Sequence, residues 1–213
     1  MLLVGASESR YRISRLDART TGLGMSSQVV IERGDAATAR RLFEEICQLY
    51  AQVFSKPPFA WDEEEPQRHR SSLQRLIEEE PSFGITIAMV GDELVGFAYG
   101  YTVPPGTRRW QRFATPVPVD LATEWEGRTF ALIDFAVRRE WRRHGIGRKL
   151  LDALLDSRNE ERATLTVEPE ATETQAFYLH LGWQHVGRKR TASENIMPFF
   201  DVYVLPLSHQ AKP

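Results

Sequence analysis

The chain has 213 residues, 42% hydrophobic and 26% charged, the composition of one soluble globular domain long enough to bury a substantial core. A formal net charge of −2 provides no general attraction to nucleic acid or to a membrane surface, so neither partner is expected and any basic cluster is local. The single cysteine, Cys47, excludes an intramolecular disulfide and a multi-cysteine zinc site, and no apolar run approaches the roughly 20 residues that span a bilayer. The expected compartment is the cytoplasm.

Residues 1–26 mix arginines with Ser, Thr and Gly without periodicity and read as a mobile arm, with Met25 an alternative start. A single domain is expected over 27–206, with 207–213 a tail. Gln28 to Glu32 reads as a strand. Asp35 can cap a helix whose buried stripe is Ala39, Leu42, Phe43, Ile46, Leu49, Tyr50 and Val53, which puts Cys47 on the core side. A proline-broken link carrying Phe59 and Trp61 leads to a more polar helix with Leu73, Leu76 and Ile77. Ile85 to Val90 and Leu94 to Tyr101 read as a hairpin about Gly91-Asp92. The link from Pro104 to Arg128, holding Trp110, Glu124, Trp125 and Glu126, is longer than an ordinary loop and is either a lid or a segment with structure of its own.

Phe130 to Val137 is apolar and β-rich except for Asp134, and reads as a buried strand. Ile146, Leu150, Leu151, Leu154 and Leu155 then recur at helical spacing. Between strand and helix, Arg142-Arg143-His144-Gly145-Ile146-Gly147-Arg148 combines two glycines with basic residues at a helix start. Cations there oppose the helix dipole unless an anion is bound, so the turn reads as an anion site. Ala163 to Val167 is a further strand. Thr172-Glu173-Thr174-Gln175 has the form of a capping box for a helix over Glu173 to Leu181, closed by Gly182. Trp183 to Val186 and Phe199 to Leu205 read as the last strands.

The motif Arg142-x-x-Gly145-x-Gly147 after a strand, and Tyr178-x-x-x-Gly182-Trp183 at a helix end, resemble the GNAT superfamily of acyl-CoA N-acyltransferases, as does the order β-α-α-β-β-β-α-β-α-β-β. The resemblance covers about Gln28 to Leu205. It implies an α/β (α+β) fold, a mixed sheet of six to seven strands flanked by about four helices, and acetyl-CoA as cosubstrate. It further implies direct acetyl transfer to a primary amine of a small molecule or peptide. The family often forms homodimers. The alternative is a coenzyme A-binding or sensing module that keeps the fold without catalysis, since Ala171 and Thr174 stand where the family often has Asn and Ala.

By the same resemblance the pyrophosphate would meet Arg142, Arg143, His144, Gly145, Ile146, Gly147 and Arg148, and the pantetheine would run along Phe135, Ala136 and Val137. Tyr178 stands where many members carry the tyrosine that protonates the thiolate, and a phenol of pKa about 10 suits that role. Asp134, the one charge in an apolar strand, is either a base or water relay for the amine, or a structural acceptor. Glu124 and Glu126 are weaker candidates, read more readily as solvated charges. His144 and His180 lack a second ligand at metal spacing, so no metal is expected. Phe59, Trp61, Tyr101, Trp110 and Trp125 are candidates to line an acceptor pocket.

Overall fold

The computed structural model describes residues 28–59, 62–191 and 198–207. The expected arm over 1–26, Trp61 and nearly all of the 207–213 tail lie outside them.

Seven strands form one mixed sheet in the order β1-β2-β3-β4-β5-β7-β6. They are β1 (Val29–Gly34), β2 (Gly84–Val90), β3 (Glu93–Thr102), β4 (Thr129–Val137), β5 (Arg162–Val167), β6 (Gln184–Arg190) and β7 (Phe199–Pro206). Six α-helices accompany them: α1 (Ala36–Arg41), α2 (Phe43–Phe54), α3 (Glu65–Glu79), the single turn α4 (Val119–Ala122), α5 (Ile146–Leu155) and α6 (Thr172–His180). The α/β expectation and the strand number both hold.

The sheet faces follow from the alternation of side chains along each strand. Phe130, Ala163, Leu165 and Tyr203 face α5 and α6, where Ile146, Leu150, Leu151 and Leu154 pack on them. Full burial of each such aliphatic side chain contributes about 2 kcal/mol. Ile87, Phe97, Tyr99 and Ala136 face α1–α3. The paired row Tyr101, Ala131, Thr164 and Val204 crosses the sheet from β3 to β7 and shows that this second face is continuous to the far edge.

The predicted first helix is divided at Leu42, whose φ of −108° and ψ of 22° leave the helical region. The amide of Leu42 still reaches Thr38 O and its carbonyl still accepts from Ile46, so the buried stripe continues across the break. Asp35 caps α1 as expected, its Oδ1 accepting from Ala37 N at 2.9 Å and Thr38 N at 3.2 Å. The expected capping box does not form. Ala171 is the cap of α6, and Gln175 instead donates through Nε2 to Glu168 O and Pro169 O, pinning the turn after β5. The sixth strand runs on to Arg190, past the predicted Val186. Its outer edge is partly covered by the 103–128 segment, where Ala114 N donates to Arg188 O at 2.8 Å and Arg190 N donates to Arg112 O at 2.9 Å, and Arg188 is held by Asp201 at 2.7 and 2.9 Å.

The 103–128 link has structure of its own. It covers the second sheet face over β5, β7 and β6 through Trp110, Phe113 and Leu121 packed on Val202 and Val204. Glu124 Oε1 fastens it by accepting from Trp110 Nε1 at 2.6 Å, Thr129 Oγ1 at 2.7 Å and Arg162 Nη2 at 2.7 Å. No helix among the described residues is long and apolar enough to cross a membrane.

Candidate active site

Strands β4 and β5 run parallel and pair only at Thr129–Arg162, Phe130–Ala163 and Ala131–Thr164. Beyond that point they separate. One edge of Leu132–Val137 is left with no strand beside it, and a cleft opens between the carboxyl ends of β4 and β5. In a sheet those are main-chain groups that a bound ligand can satisfy by adding itself as a strand.

At the end of β4 the basic turn leads into α5. Arg142 Nε donates to Val137 O at 3.0 Å, and His144 Nδ1 lies 2.7 Å from Arg142 O, so these two side chains brace the turn. Arg143 and Gly145 take positive φ, 66° and 73°. Gly145 caps α5 without a side-chain acceptor, no acid occupies the first turn, and Arg148 is exposed beside Asp152. The two glycines serve different ends. A Cβ on Gly145 would meet nothing within 4 Å, so its approach is open to a ligand, whereas a Cβ on Gly147 would lie 2.9 Å from Phe135 Cζ and separate the helix from β4. Ile146, Ala136 and Val137 are buried, which leaves only their main chain for contact. Open space over Gly145, unmet first-turn N–H groups and flanking arginines fit the diphosphate of an acyl-CoA.

Deeper in the cleft, Tyr99 pairs with Asp134 and Gly100 with Leu132, so Ile133 is a bulge residue that turns Asp134 toward the α1–α3 face. There Tyr99 Oη donates a short hydrogen bond to Asp134 Oδ2. His69 Nε2, from α3, is 3.2 Å from the Tyr99 hydroxyl and 3.5 Å from the same carboxylate oxygen. Because the Tyr99 hydroxyl donates its hydrogen to Asp134, the phenol oxygen is left to accept from His69 Nε2. The Tyr50 ring stacks on His69 at 3.7 Å, and its hydroxyl donates to Glu65 Oε1 at 2.7 Å. Burial and then the charge of Asp134 push the Tyr99 phenol well up from its ordinary value, so it remains a donor.

Tyr178 approaches from α6. Its ring packs edge-on against Trp183 and beside Phe135, and the residue is only 5% exposed. Its phenol is pushed up by burial first and by the charge of Asp134 second, and its hydroxyl has no hydrogen-bond partner among the described residues. Asp134 and Tyr178, far apart in sequence, are thus brought within electrostatic reach of one another at the fork of the sheet.

Glu124 is not a solvated charge. Its carboxylate is buried against Arg162, because the link that carries it folds onto the sheet. Glu126 is exposed. Trp110 is buried under that link, and Trp125 lies on Arg128 at the surface. Phe59 packs on Phe54 and Tyr101 is half-buried beside the cleft. His144 and His180 are exposed. Cys47 is buried, and burial pushes its thiol up to about 11, as suits a core residue. His69 and Tyr99 were not singled out from the sequence, and Tyr50 was read only as part of a buried helix stripe. One signal was available for His69, which stands at i−4, i−7 and i−8 from Leu73, Leu76 and Ile77 and so on the buried stripe of an otherwise polar helix.

A family model described as the acetyltransferase (GNAT) family matches residues 43–183. The chain belongs to the GNAT acetyltransferase family. That membership supports acetyl transfer from an acyl-CoA in general terms. No curated protein sequence matches the chain. Among solved structures it is similar to Arabidopsis thaliana NAA60 in complex with acetyl-CoA, 12% identical over 84% of this chain and 99% of that one, with a TM-score of 0.58. It is also similar to aminoglycoside 6'-acetyltransferase type Ii, 17% identical over 86% of this chain and 99% of that one, at 0.59. The ribosomal-protein-S18-alanine N-acetyltransferase of Escherichia coli is 16% identical over 85% of this chain and 95% of that one, at 0.53. At these identities the likeness concerns the GNAT fold, and two of those proteins are named for different acceptors, an aminoglycoside and a ribosomal-protein alanine.

Proposed function

We propose that this GNAT protein is an N-acetyltransferase that moves the acetyl group of acetyl-CoA directly to a primary amine, with Asp134 as base or water relay and Tyr178 as acid. The observation that carries this reading is a carboxylate held by Tyr99 and His69 at the β4–β5 fork, within electrostatic reach of the buried Tyr178 phenol, whose hydroxyl has no hydrogen-bond partner among the described residues. A module that only bound coenzyme A would need neither.

Acetyl-CoA supplies an activated thioester. Gly145, Ile146, Gly147 and Arg148 would hold its diphosphate through main-chain N–H groups, helped by the Arg143 charge, and the free edge of Phe135–Val137 would hold the pantetheine. A main-chain N–H at the end of β4 is suited to polarise the thioester carbonyl, a type of contact worth a few kcal/mol to the transition state. Arg142 and His144 brace the turn.

An amine with a pKa of about 10.4 is neutral in only about one molecule per few thousand at pH 7, a handicap of roughly 4 to 5 kcal/mol. Asp134 takes that proton, directly or through water, and Tyr99 and His69 keep the carboxylate aimed at the cleft. The amine nitrogen then bonds to the carbonyl carbon, the carbon–sulfur bond breaks, and Tyr178 protonates the departing thiolate. The second amine proton restores the phenol. Burial is the larger cause of the raised Tyr178 phenol and the charge of Asp134 the smaller, so proton uptake by Asp134 would relieve only that smaller part.

The test is thiol release from acetyl-CoA over an amine panel. Tyr178→Phe should lower kcat by about a hundredfold, the lower end for loss of a general acid, with little change in KM. Asp134→Asn should lower kcat similarly. Coenzyme A binding with no turnover on any amine would favour the non-catalytic module instead.

A further inference from the structure

The cleft has two walls on the α1–α3 face, and their charges are matched differently. On the α2–α3 side the carboxylates have partners: Glu65 accepts from Tyr50 and pairs with Arg68 at 2.7 Å, and Asp134 accepts from Tyr99. On the opposite side, where the 103–128 link lies over β7 and β6, Arg162 and Arg128 have carboxylate partners but three other cations, Arg109, Arg112 and Lys189, do not. The Arg109 guanidinium makes no hydrogen bond or ion pair among the described residues, and its Nε is buried without a partner. Lys189 Nζ donates to Arg109 O at 2.6 Å, and the exposed Arg112 donates through Nη1 to Thr191 O at 3.3 Å; both are carbonyl contacts, and neither cation has a carboxylate partner among the described residues. Glu124 is within electrostatic reach of Arg109 but makes no ion pair with it: its Oε1 serves Arg162, Trp110 and Thr129, and its Oε2 is buried with no hydrogen-bond partner among the described residues. Glu161 is shared with Arg128 at 3.9 Å. The Nε of Arg109 is enclosed while no carboxylate lies at bonding distance from its guanidinium among the described residues, which leaves its N–H donors free for a bound oxyanion.

The sheet register places this cluster. Lys189 pairs with Phe200, one residue before the Asp201–Val167 pair, so it is level with the end of β5 where the cleft opens. Phe200 shares its face with Val202, and hence with Tyr101, Ala131 and Tyr99-bound Asp134. Arg109 lies between Lys189, which donates to its carbonyl, and Tyr101 on β3, which is within electrostatic reach of its charge.

We propose that Arg109, with Lys189 and Arg112, forms an anion subsite of the acceptor cleft, so that the acceptor is an amine that also bears a carboxylate or a phosphate. This rests on the N-acetyltransferase reading. The anionic group of the acceptor meets the cations above β7 and β6 while its amine lies toward Asp134. The bidentate fork of Arg109 suits either oxyanion, and the acceptor thereby carries its own orientation.

Turnover is compared on pairs that differ only in the anionic group: cadaverine with lysine, phenethylamine with phenylalanine, and ethanolamine with phosphoethanolamine. The carboxylate and phosphate pairs separate the two sources of charge. At least one anionic member should exceed its neutral counterpart at least tenfold in kcat/KM. Arg109→Gln and Lys189→Gln should each reduce that preference to within about twofold, chiefly through KM. Neutral amines preferred in every pair, or a preference that survives both substitutions, would overturn the subsite. Inorganic phosphate is also titrated into protein saturated with coenzyme A, which blocks the α5 turn, and amide shifts are followed by NMR. Saturable shifts confined to residues 109–113 and 188–190, and lost in Arg109→Gln, support the subsite even if no amine in the panel is turned over. Their absence would reject it. Failure of coenzyme A to stabilise the protein would reject the acetyltransferase reading alone, since the phosphate titration does not depend on it.

Discussion

Lys189 ties charge to stability at a single residue. Burial, then Arg109 and Arg112, bring its ammonium down from 10.5 to about 8. Below pH 8 folded and unfolded chains both carry the proton, and the cost of holding a third cation there is fully present. Between pH 8 and 10.5 the folded chain has released the proton while the unfolded chain still binds it, so stability rises with pH across that window. Cys47 acts in the opposite sense. Its thiol, pushed up from 9 to about 11, stays protonated after the unfolded thiol has ionised, so stability falls from pH 9 to 11. Thermal unfolding of wild type and Lys189→Gln side by side separates the two, because both proteins keep Cys47. The melting temperature of wild type should gain on that of the variant from pH 7.5 to 10.5, and parallel curves would show that Lys189 is not held at a low pKa. The same window bears on catalysis, since an anionic acceptor should lose affinity as Lys189 gives up its charge.

The elements divide into those that their own periodicity declares and those that only the folded sheet explains. The leucine stripe of α5, the apolar run of β4 and the hairpin of β2 and β3 were legible because burial repeats every 3.6 or 2 residues within a short window. The glycine turn and Tyr178 were legible because a short motif carries them. The Asp134 carboxylate stood out as a charge in an apolar strand, but its partners Tyr99 and His69 lie 35 and 65 positions away and come together only through the β3–β4 bulge and the docking of α3. The 103–128 link was illegible for a related reason. It has little periodicity, and what holds it is a buried charge with partners on β4 and β5. Removing that charge should therefore expose what the link contributes. Glu124→Ala leaves Arg162 buried and unpaired and strips acceptors from Trp110 and Thr129, a change that costs about 3 to 5 kcal/mol for a buried pair. Urea unfolding measures it, and a loss below 1 kcal/mol would mean that water replaces the carboxylate without difficulty.

For the molecule as a whole, the seam between β4 and β5 is both the weakest join in the sheet and the place where the chemistry is proposed. Three residue pairs connect a β1–β4 half covered by α1–α3 and α5 to a β5–β7–β6 half covered by the 103–128 link. A sheet built for stability alone would continue the pairing. Instead, main-chain groups of Leu132–Val137 lie idle, and idle amides exchange quickly because no internal hydrogen bond protects them. If acetyl-CoA lies along β4 as an added strand, it fills that edge and its diphosphate closes the α5 turn at the same time. Binding at a hundred times the dissociation constant should then raise stability by about 2.7 kcal/mol. Hydrogen exchange separates this arrangement from binding elsewhere. Amides in Leu132–Val137 that point away from β3, together with Ile146 and Gly147, should gain protection on addition of acetyl-CoA, while β1 and β2 gain only what global stabilisation confers. Replacing Arg143 and Arg148 together with Gln should raise the dissociation constant without altering that pattern at saturation. Uniform protection across the sheet, with no excess at the β4 edge, would place the cofactor outside the cleft.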